Sequence, residues 1–237
     1  LSDLARRYEE NPRGRTRPDH DRAVQALQGA LQARTPFLLP AMSTPQIERV
    51  IEFGRELDLP SMVLYGAHEG YAAVPQLARA KVPVLVSAHW PEKPKDADPE
   101  ADEDLHALEV RDRAPSTPAA LAQQKVPFAF YSDGLAGPAE FLAAVRKAVQ
   151  AGLAVDAALR ALTLDAAQIF GVQDRLGSLE PGKIANLVVT RGDLLGEKPT
   201  IAHVFVDGRR FDVPADTAPA GTGSGGRGPR PSAGDRR

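Results

Sequence analysis

The chain has 237 residues, enough for one large domain or for one domain with a small satellite, and its 29 basic and 31 acidic residues leave a net charge of −2. No field of one sign points to nucleic acid or to an anionic membrane, so the partner expected is a small-molecule substrate. There is no cysteine, which removes disulfides, thiol nucleophiles and thiolate-bound zinc and leaves the compartment, cytoplasmic or periplasmic, open.

Residues 1–22 are polar, carry Pro12 and Pro18 and lack a signal-peptide core; nowhere does an apolar run approach the roughly 20 residues that span a bilayer. The chain starts at Leu1 rather than Met, which leaves room for an upstream part. A charged opening segment and a helix, with Val24, Leu27 and Leu31 at three-and-four spacing, fill residues 1–35. The apolar run "PFLLPA" (36–41) then predicts a strand. Behind it "STPQIERVIEFGRELDLP" predicts a helix, capped by Thr44, with Pro45 at its first position and Ile47, Val50, Ile51 and Leu57 on one face.

The pattern repeats. "SMVLYG" (61–66) is a strand, "EGYAAVPQLARA" a helix despite Pro75, and "VPVLVSA" (82–88) a third strand. A long polar stretch holds Asp96, Asp98, Glu100, Asp102, Glu103 and Asp104 without the glycine and spacing of a calcium loop, so it reads as a solvated face or a lid. Then come "TPAALAQQ", a fourth strand "VPFAFYS", and a helix opened by Pro138 and closed by Gly152. Strands without alternation, separated by amphipathic helices, indicate a parallel sheet covered on both faces: the class is α/β. Beyond Gly171, "ANLVV" and "IAHVFV" read as strands and Asp207-Gly208 as a hairpin turn into "RRF", a small β unit. Residues 214–237 hold no large apolar side chain and are expected to be a disordered tail.

Three residues stand out because parallel sheets gather their chemistry at the carboxyl ends of strands. Asp133 ends the fourth strand in "FAFYSDG"; the plain alternative is a turn, for which Ser-Asp-Gly is good chemistry. His68 follows the second strand at a helix start, a place that favours the neutral imidazole, able to bind a metal or act as a base; the alternative is a capping or loop histidine. His89, just past the third strand, falls on the same rim. No His-x-His or His-Glu-x-x-His joins them. His106, in the acidic stretch, and His203, on a strand, read as solvated.

Residues 161–189, "ALTLDAAQIFGVQDRLGSLEPGKIANLVV", resemble the C-terminal signature of the amidohydrolase superfamily, particularly its imidazolonepropionase-like and prolidase-like members. Thr163, Ala167, Gly171, Gly177, Leu179, Gly182, Lys183, Ala185, Leu187 and Val188 carry the match, and Asn186 stands where that family usually has Asp. The resemblance implies the C-terminal half of a (β/α)8 TIM-type barrel, strands five to eight, over residues 36–172, with strands of a small accessory β-sandwich over 173–213. It implies metal-dependent hydrolysis of a non-peptide C–N bond in a cyclic amide or related substrate. The cofactor would be a divalent metal, zinc first, as one or two ions in the full-length protein, with Asp133 as catalytic acid and metal ligand, His68 as a second ligand and His89 at the substrate.

The departures are equally specific. The family's His-x-His and its strand-four lysine or glutamate belong to strands this chain does not contain, and Pro40, Ala41 and Met42 stand where strand five carries a histidine. The rival readings are a degenerate homologue that binds or scaffolds without catalysis, and a complete doubly wound domain with its own crevice. Half a barrel leaves two edges and an inner face open, which predicts pairing with the missing N-terminal half or a homo-oligomer, and poor solubility alone.

Overall fold

The computed structural model describes residues 7–13, 22–32, 35–59, 61–94, 96, 98, 102–196 and 199–211. The expectation for residues 214–237 lies outside the described residues, as does most of the opening segment. Where that segment is described, residues 7–10 are helical rather than loop.

Helix α1 (Arg22–Gln32) leads into β1 (Phe37–Ala41). Leu27, one of the three residues read as its apolar face, is exposed. Strand β1 contains Pro40, tolerable because among the described residues β1 has one neighbour, β2. Helix α2 (Thr44–Glu56) is capped one residue earlier than expected: Ser43 is the extended N-cap, and Pro45 falls on the second helical position. Gln46 decides this by reaching back, its Oε1 accepting the backbone N–H groups of Met42 and Ser43 at 2.8 and 3.2 Å.

Then follow β2 (Met62–Gly66), α3 (Gly70–Ala80) and β3 (Val84–Ser87). Next is α4 (Leu105–Arg113), a 3₁₀ turn, α5 (Thr117–Gln123) and β4 (Phe128–Tyr131). The four strands form one sheet in the order β1-β2-β3-β4, every pair parallel, with registers such as Leu64↔Val84 and Val86↔Phe130. Each strand is followed by a helix that brings the chain back to start the next, as a parallel neighbour requires.

The two-residue period of the strands sorts the side chains. Leu64, Val84, Val86, Phe128 and Phe130 face the helices and build the main core with Ile47, Leu77, Leu121 and Val145. Truncating one of these fully buried leucines to alanine costs about 2–5 kcal/mol. The opposite face carries Val63, Leu85 and Ala129, flanked by Tyr65 and Tyr131. It is not bare: Ala166 and Ile169 pack on it.

Those two residues belong to α8 (Leu164–Ile169), which follows α6 (Pro138–Gln150) and α7 (Val155–Leu162). Thr163 separates α7 from α8, its φ of −133° and ψ of −92° leaving the helical region. The Thr163 hydroxyl bonds back to the Leu159 carbonyl at 2.7 Å. Behind α8, Gly177 has φ +93°, and a Cβ there would lie 2.9 Å from Leu164 Cα, so the turn folds tightly only around glycine.

Strands β5 (Leu187–Arg191), β6 (Thr200–Val206) and β7 (Arg209–Phe211) form a separate antiparallel sheet. Asp207 and Gly208 both have positive φ, 52° and 76°, the pattern of a tight hairpin. Asn186 Oδ1 accepts the Asp207 N–H at 2.8 Å and fastens the turn to the approach of β5. Leu195, between β5 and β6, is buried in the main core. Among the described residues no helix is long and apolar enough to cross a membrane.

Candidate active site

Three strand ends meet at one rim. At the end of β2 the chain turns sharply through Gly66 (φ +108°) and Ala67 (φ +54°), which sets His68 and Glu69 ahead of α3. Fully buried Thr117 fastens this turn: its hydroxyl donates to the His68 carbonyl at 3.3 Å and accepts the Tyr71 N–H at 3.1 Å. At the end of β3, the Ala88 N–H reaches the Tyr131 carbonyl at 2.9 Å and prolongs the pairing with β4. Trp90 is then anchored by its indole N–H on the Ala144 carbonyl at 3.0 Å.

Asp133 lies two residues past β4, with φ +49°, a left-handed conformation that aspartate tolerates in turns. Its Oδ2 accepts the Ser87 hydroxyl at 2.7 Å. The same Ser87 Oγ accepts the His89 N–H at 3.1 Å, and His89 Nδ1 lies 3.0 Å from the Asp133 carbonyl oxygen. A carbonyl oxygen only accepts, so Nδ1 carries a proton and the neutral ring keeps its lone pair on Nε2. Sequence reasoning did not single out Ser87; its position two residues past Leu85, on the face opposite the helices, was the signal available.

His68 is the third member. Its Nε2 is buried and has no hydrogen-bond partner among the described residues. Burial holds its pKa below the ordinary 6.5, while the Asp133 charge, the His89 backbone and the Glu69 charge pull weakly the other way. Tyr131, beside Asp133, has its pKa pushed up to about 12, first by burial and then by the Asp133 charge. Its hydroxyl is buried and also lacks a partner among the described residues. His68, His89 and Asp133, the three residues picked from the sequence, line one open cleft of about 410 Å³, with Trp90, Glu92 and Lys93 on its border.

Glu69 is a second residue the sequence did not flag. It is 8% exposed, and its carboxylate takes the Thr44 N–H at 2.8 Å and His106 Nε2 at 3.0 Å. His106, read as solvated, keeps an exposed ring but ties α4 to this buried acid. His203 sits on β6 opposite Val189, in the separate antiparallel sheet.

The donor set suits a divalent cation in part. A buried imidazole nitrogen without a partner is what a metal ligand presents, and the Asp133 carboxylate is the right neighbour for it. Among the described residues, however, no three His, Cys, Asp or Glu side chains converge on one point. At the end of β1 the expected histidine is replaced by buried Ala41 and by Met42, whose sulfur packs against Gly66. Any further ligands for a zinc shell, typically four, would come from outside these strands.

A model of the amidohydrolase family matches residues 84–211. The chain is 25% identical over 192 residues to amidohydrolase tasK of Hapsidospora irregularis, covering 80% of this chain and 19% of that protein. It is 49% identical over 59 residues to an adenine deaminase of Methanoculleus marisnigri, covering 25% of this chain and 11% of that one. Among solved structures it resembles an amidohydrolase from Thermotoga maritima MSB8, with TM-score 0.68 and 26% identity over 89% of this chain and 54% of that chain. The chain thus spans about half the length of that structure and far less of the two curated relatives.

Proposed function

The chain belongs to the amidohydrolase family, and on that premise we propose that it is the C-terminal part of a metal-dependent hydrolase acting on a non-peptide C–N bond, in a cyclic amide or a related substrate. In this reading β1 to β4 are half of a (β/α)8 ring and β5 to β7 are part of an accessory sandwich. The sequential, all-parallel order of the strands supports the ring, because closure needs neighbours added one by one in the same sense.

The observation that carries the reading is the convergence at three consecutive strand ends of Asp133, fixed by Ser87, and of His68, whose buried Nε2 is unpartnered. His68 Nε2 and the Asp133 carboxylate would hold a divalent ion. When bound, such an ion polarises a carbonyl and makes water more acidic. Asp133 takes the proton from the attacking water as the O–C bond forms and delivers it to the leaving nitrogen as the C–N bond breaks. Ser87 keeps one carboxylate oxygen occupied, so that the other faces the reactants. His89, oriented through Nδ1, offers Nε2 to a substrate N–H, and Tyr131 remains a protonated donor at any ordinary pH.

The test is hydrolysis of a cyclic-amide panel by the protein carrying its upstream residues, with divalent metal supplied. Asp133→Asn is expected to lower the rate by about 10²–10⁴; an unchanged rate overturns the assignment.

A second reading rests on Ala41 and Met42 at the end of β1: a homologue that keeps the fold and binds without turnover. Metal analysis of the same protein separates the two. Stoichiometric divalent metal supports the hydrolase, and none after metal-replete purification supports the binding protein.

A further inference from the structure

The His68 ring is placed from its backbone side, because its buried Nε2 has no partner among the described residues to hold it from the far end. The turn that carries it is pinned at both neighbours. Before it, the Ala67 N–H donates to the Ala41 carbonyl at 2.8 Å; after it, the Glu69 N–H donates to the Met42 carbonyl at 3.0 Å. These two bonds tie the end of β2 to the end of β1 and reach no further.

The Glu69 side chain extends the tie. At the start of α2, Gln46 takes the N–H groups of Met42 and Ser43, and the next one, that of Thr44, donates across 25 positions of sequence to Glu69 Oε2 at 2.8 Å. The acid thus caps a helix to which it does not belong, at the end where the helix dipole favours negative charge. Its other oxygen, Oε1, meets His106 Nε2 at 3.0 Å and brings in α4. One side chain, 8% exposed, fastens the connections after β1, β2 and β3 to one another. A buried carboxylate is costly to hold, and an apolar side chain would make neither contact.

We propose that Glu69 is a positioning residue: by locking the position next to His68 onto α2 and α4, it fixes where the His68 ring enters the cleft. The placement of the ring stands on this geometry; its bearing on turnover rests on the hydrolase reading above.

The test follows histidine ring signals in long-range ¹H–¹⁵N spectra of the metal-free protein carrying its upstream residues, at about pH 8, where an ordinary imidazole is neutral. His68→Gln and His89→Gln identify the two sets of peaks. Thr44→Pro deletes the N–H that Glu69 accepts, at a first helical position that suits proline, and leaves the acid in place. His106→Ala deletes the other partner at an exposed side chain. Each is expected to shift or split the His68 peaks, while those of His89, which is held by Ser87 and Asp133, stay where they were. Glu69→Ala should combine both effects, and Glu69→Gln, which keeps an oxygen for the Thr44 N–H, should restore most of the original pattern. Should Glu69→Ala not fold, the other variants answer the question with the acid present.

His68 peaks unmoved in both Thr44→Pro and His106→Ala, His89 peaks displaced as far as those of His68, or Glu69→Gln no better than Glu69→Ala overturns the inference. In hydrolysis the same two variants should lower kcat about 10-fold with KM unchanged, as misplacement of a reacting group does. The spectra do not depend on turnover. His68 peaks that respond in a protein without hydrolytic activity would overturn the hydrolase reading alone, and hydrolysis by a protein whose His68 peaks ignore these changes would overturn the Glu69 role alone.

Discussion

The Ser87 hydroxyl donates a 2.7 Å hydrogen bond to Asp133 Oδ2, joining the ends of two adjacent parallel strands across 46 positions of sequence. Ser87 is fully buried, while the acid is half-buried. A bond to a charged acceptor contributes about 1.5–3 kcal/mol when dry, and water at the exposed side of Asp133 reduces that. Ser87→Ala is expected to cost about 1 kcal/mol in urea unfolding. In a cycle with Asp133→Asn the two changes should couple by a similar amount; strictly additive effects would contradict the contact.

His68 should titrate below 6.5 when its ring protons are followed by NMR in metal-free protein, because burial disfavours the imidazolium. Asp133→Asn removes the largest influence acting upward, so the His68 pKa should fall further. The sign for stability follows. Between the depressed folded pKa and 6.5 the unfolded chain binds a proton that the folded chain refuses, so stability drops as pH is lowered through that window. His68→Gln should flatten the acid side of the stability profile.

Tyr131 should be the late component of an alkaline ultraviolet titration, ionising near 12, and Tyr131→Phe should remove that component. Here the folded pKa lies above the ordinary 10.0. The favourable contribution is complete below that ordinary value and is lost as pH climbs toward the folded one, because the unfolded chain releases its proton first. A tyrosinate signal complete near pH 10 would refute the burial of this hydroxyl.

Gly177 and Gly182 both sit at positive φ in the same loop, +93° and +90°, but only Gly177 is crowded. Alanine at 182 meets nothing within 4 Å and should cost about 1 kcal/mol, the backbone term alone. At 177 the new Cβ would press on Leu164 Cα at 2.9 Å and the Thr163 carbonyl at 3.1 Å, backbone that cannot swing aside. Gly177→Ala is expected to lose more than about 3 kcal/mol, adding overlap to strain. Equal melting temperatures for the two variants would rule out that packing.

The parallel strands were legible because runs such as Val84–Ser87 are buried at every position, and unbroken apolar runs between amphipathic helices admit few other arrangements. Helix α4 was not. None of its residues is buried, so it has no apolar period to read. What holds it is the Glu103–Arg111 and Glu109–Arg113 pairs and the Arg113 guanidinium over the Tyr71 ring at 4.4 Å. His68, His89 and Asp133 share a cleft because each ends or follows a parallel strand, which sequence order reveals. Ser87 and Glu69 escaped because their importance lies in partners 46 and 25 residues away, a distance that local pattern does not span.

Asn186, the one departure inside the signature, costs the hairpin nothing. What the Asp207 N–H requires is an oxygen lone pair at 2.8 Å, and an amide carries the same oxygen on the same stem as the customary carboxylate. Asparagine and aspartate are isosteric at this spot, so substitution between them alters one unit of surface charge and leaves the turn as it was. The anchor of the hairpin thus rests on one oxygen lone pair, and Asn186→Asp should keep the turn while Asn186→Ala should release it.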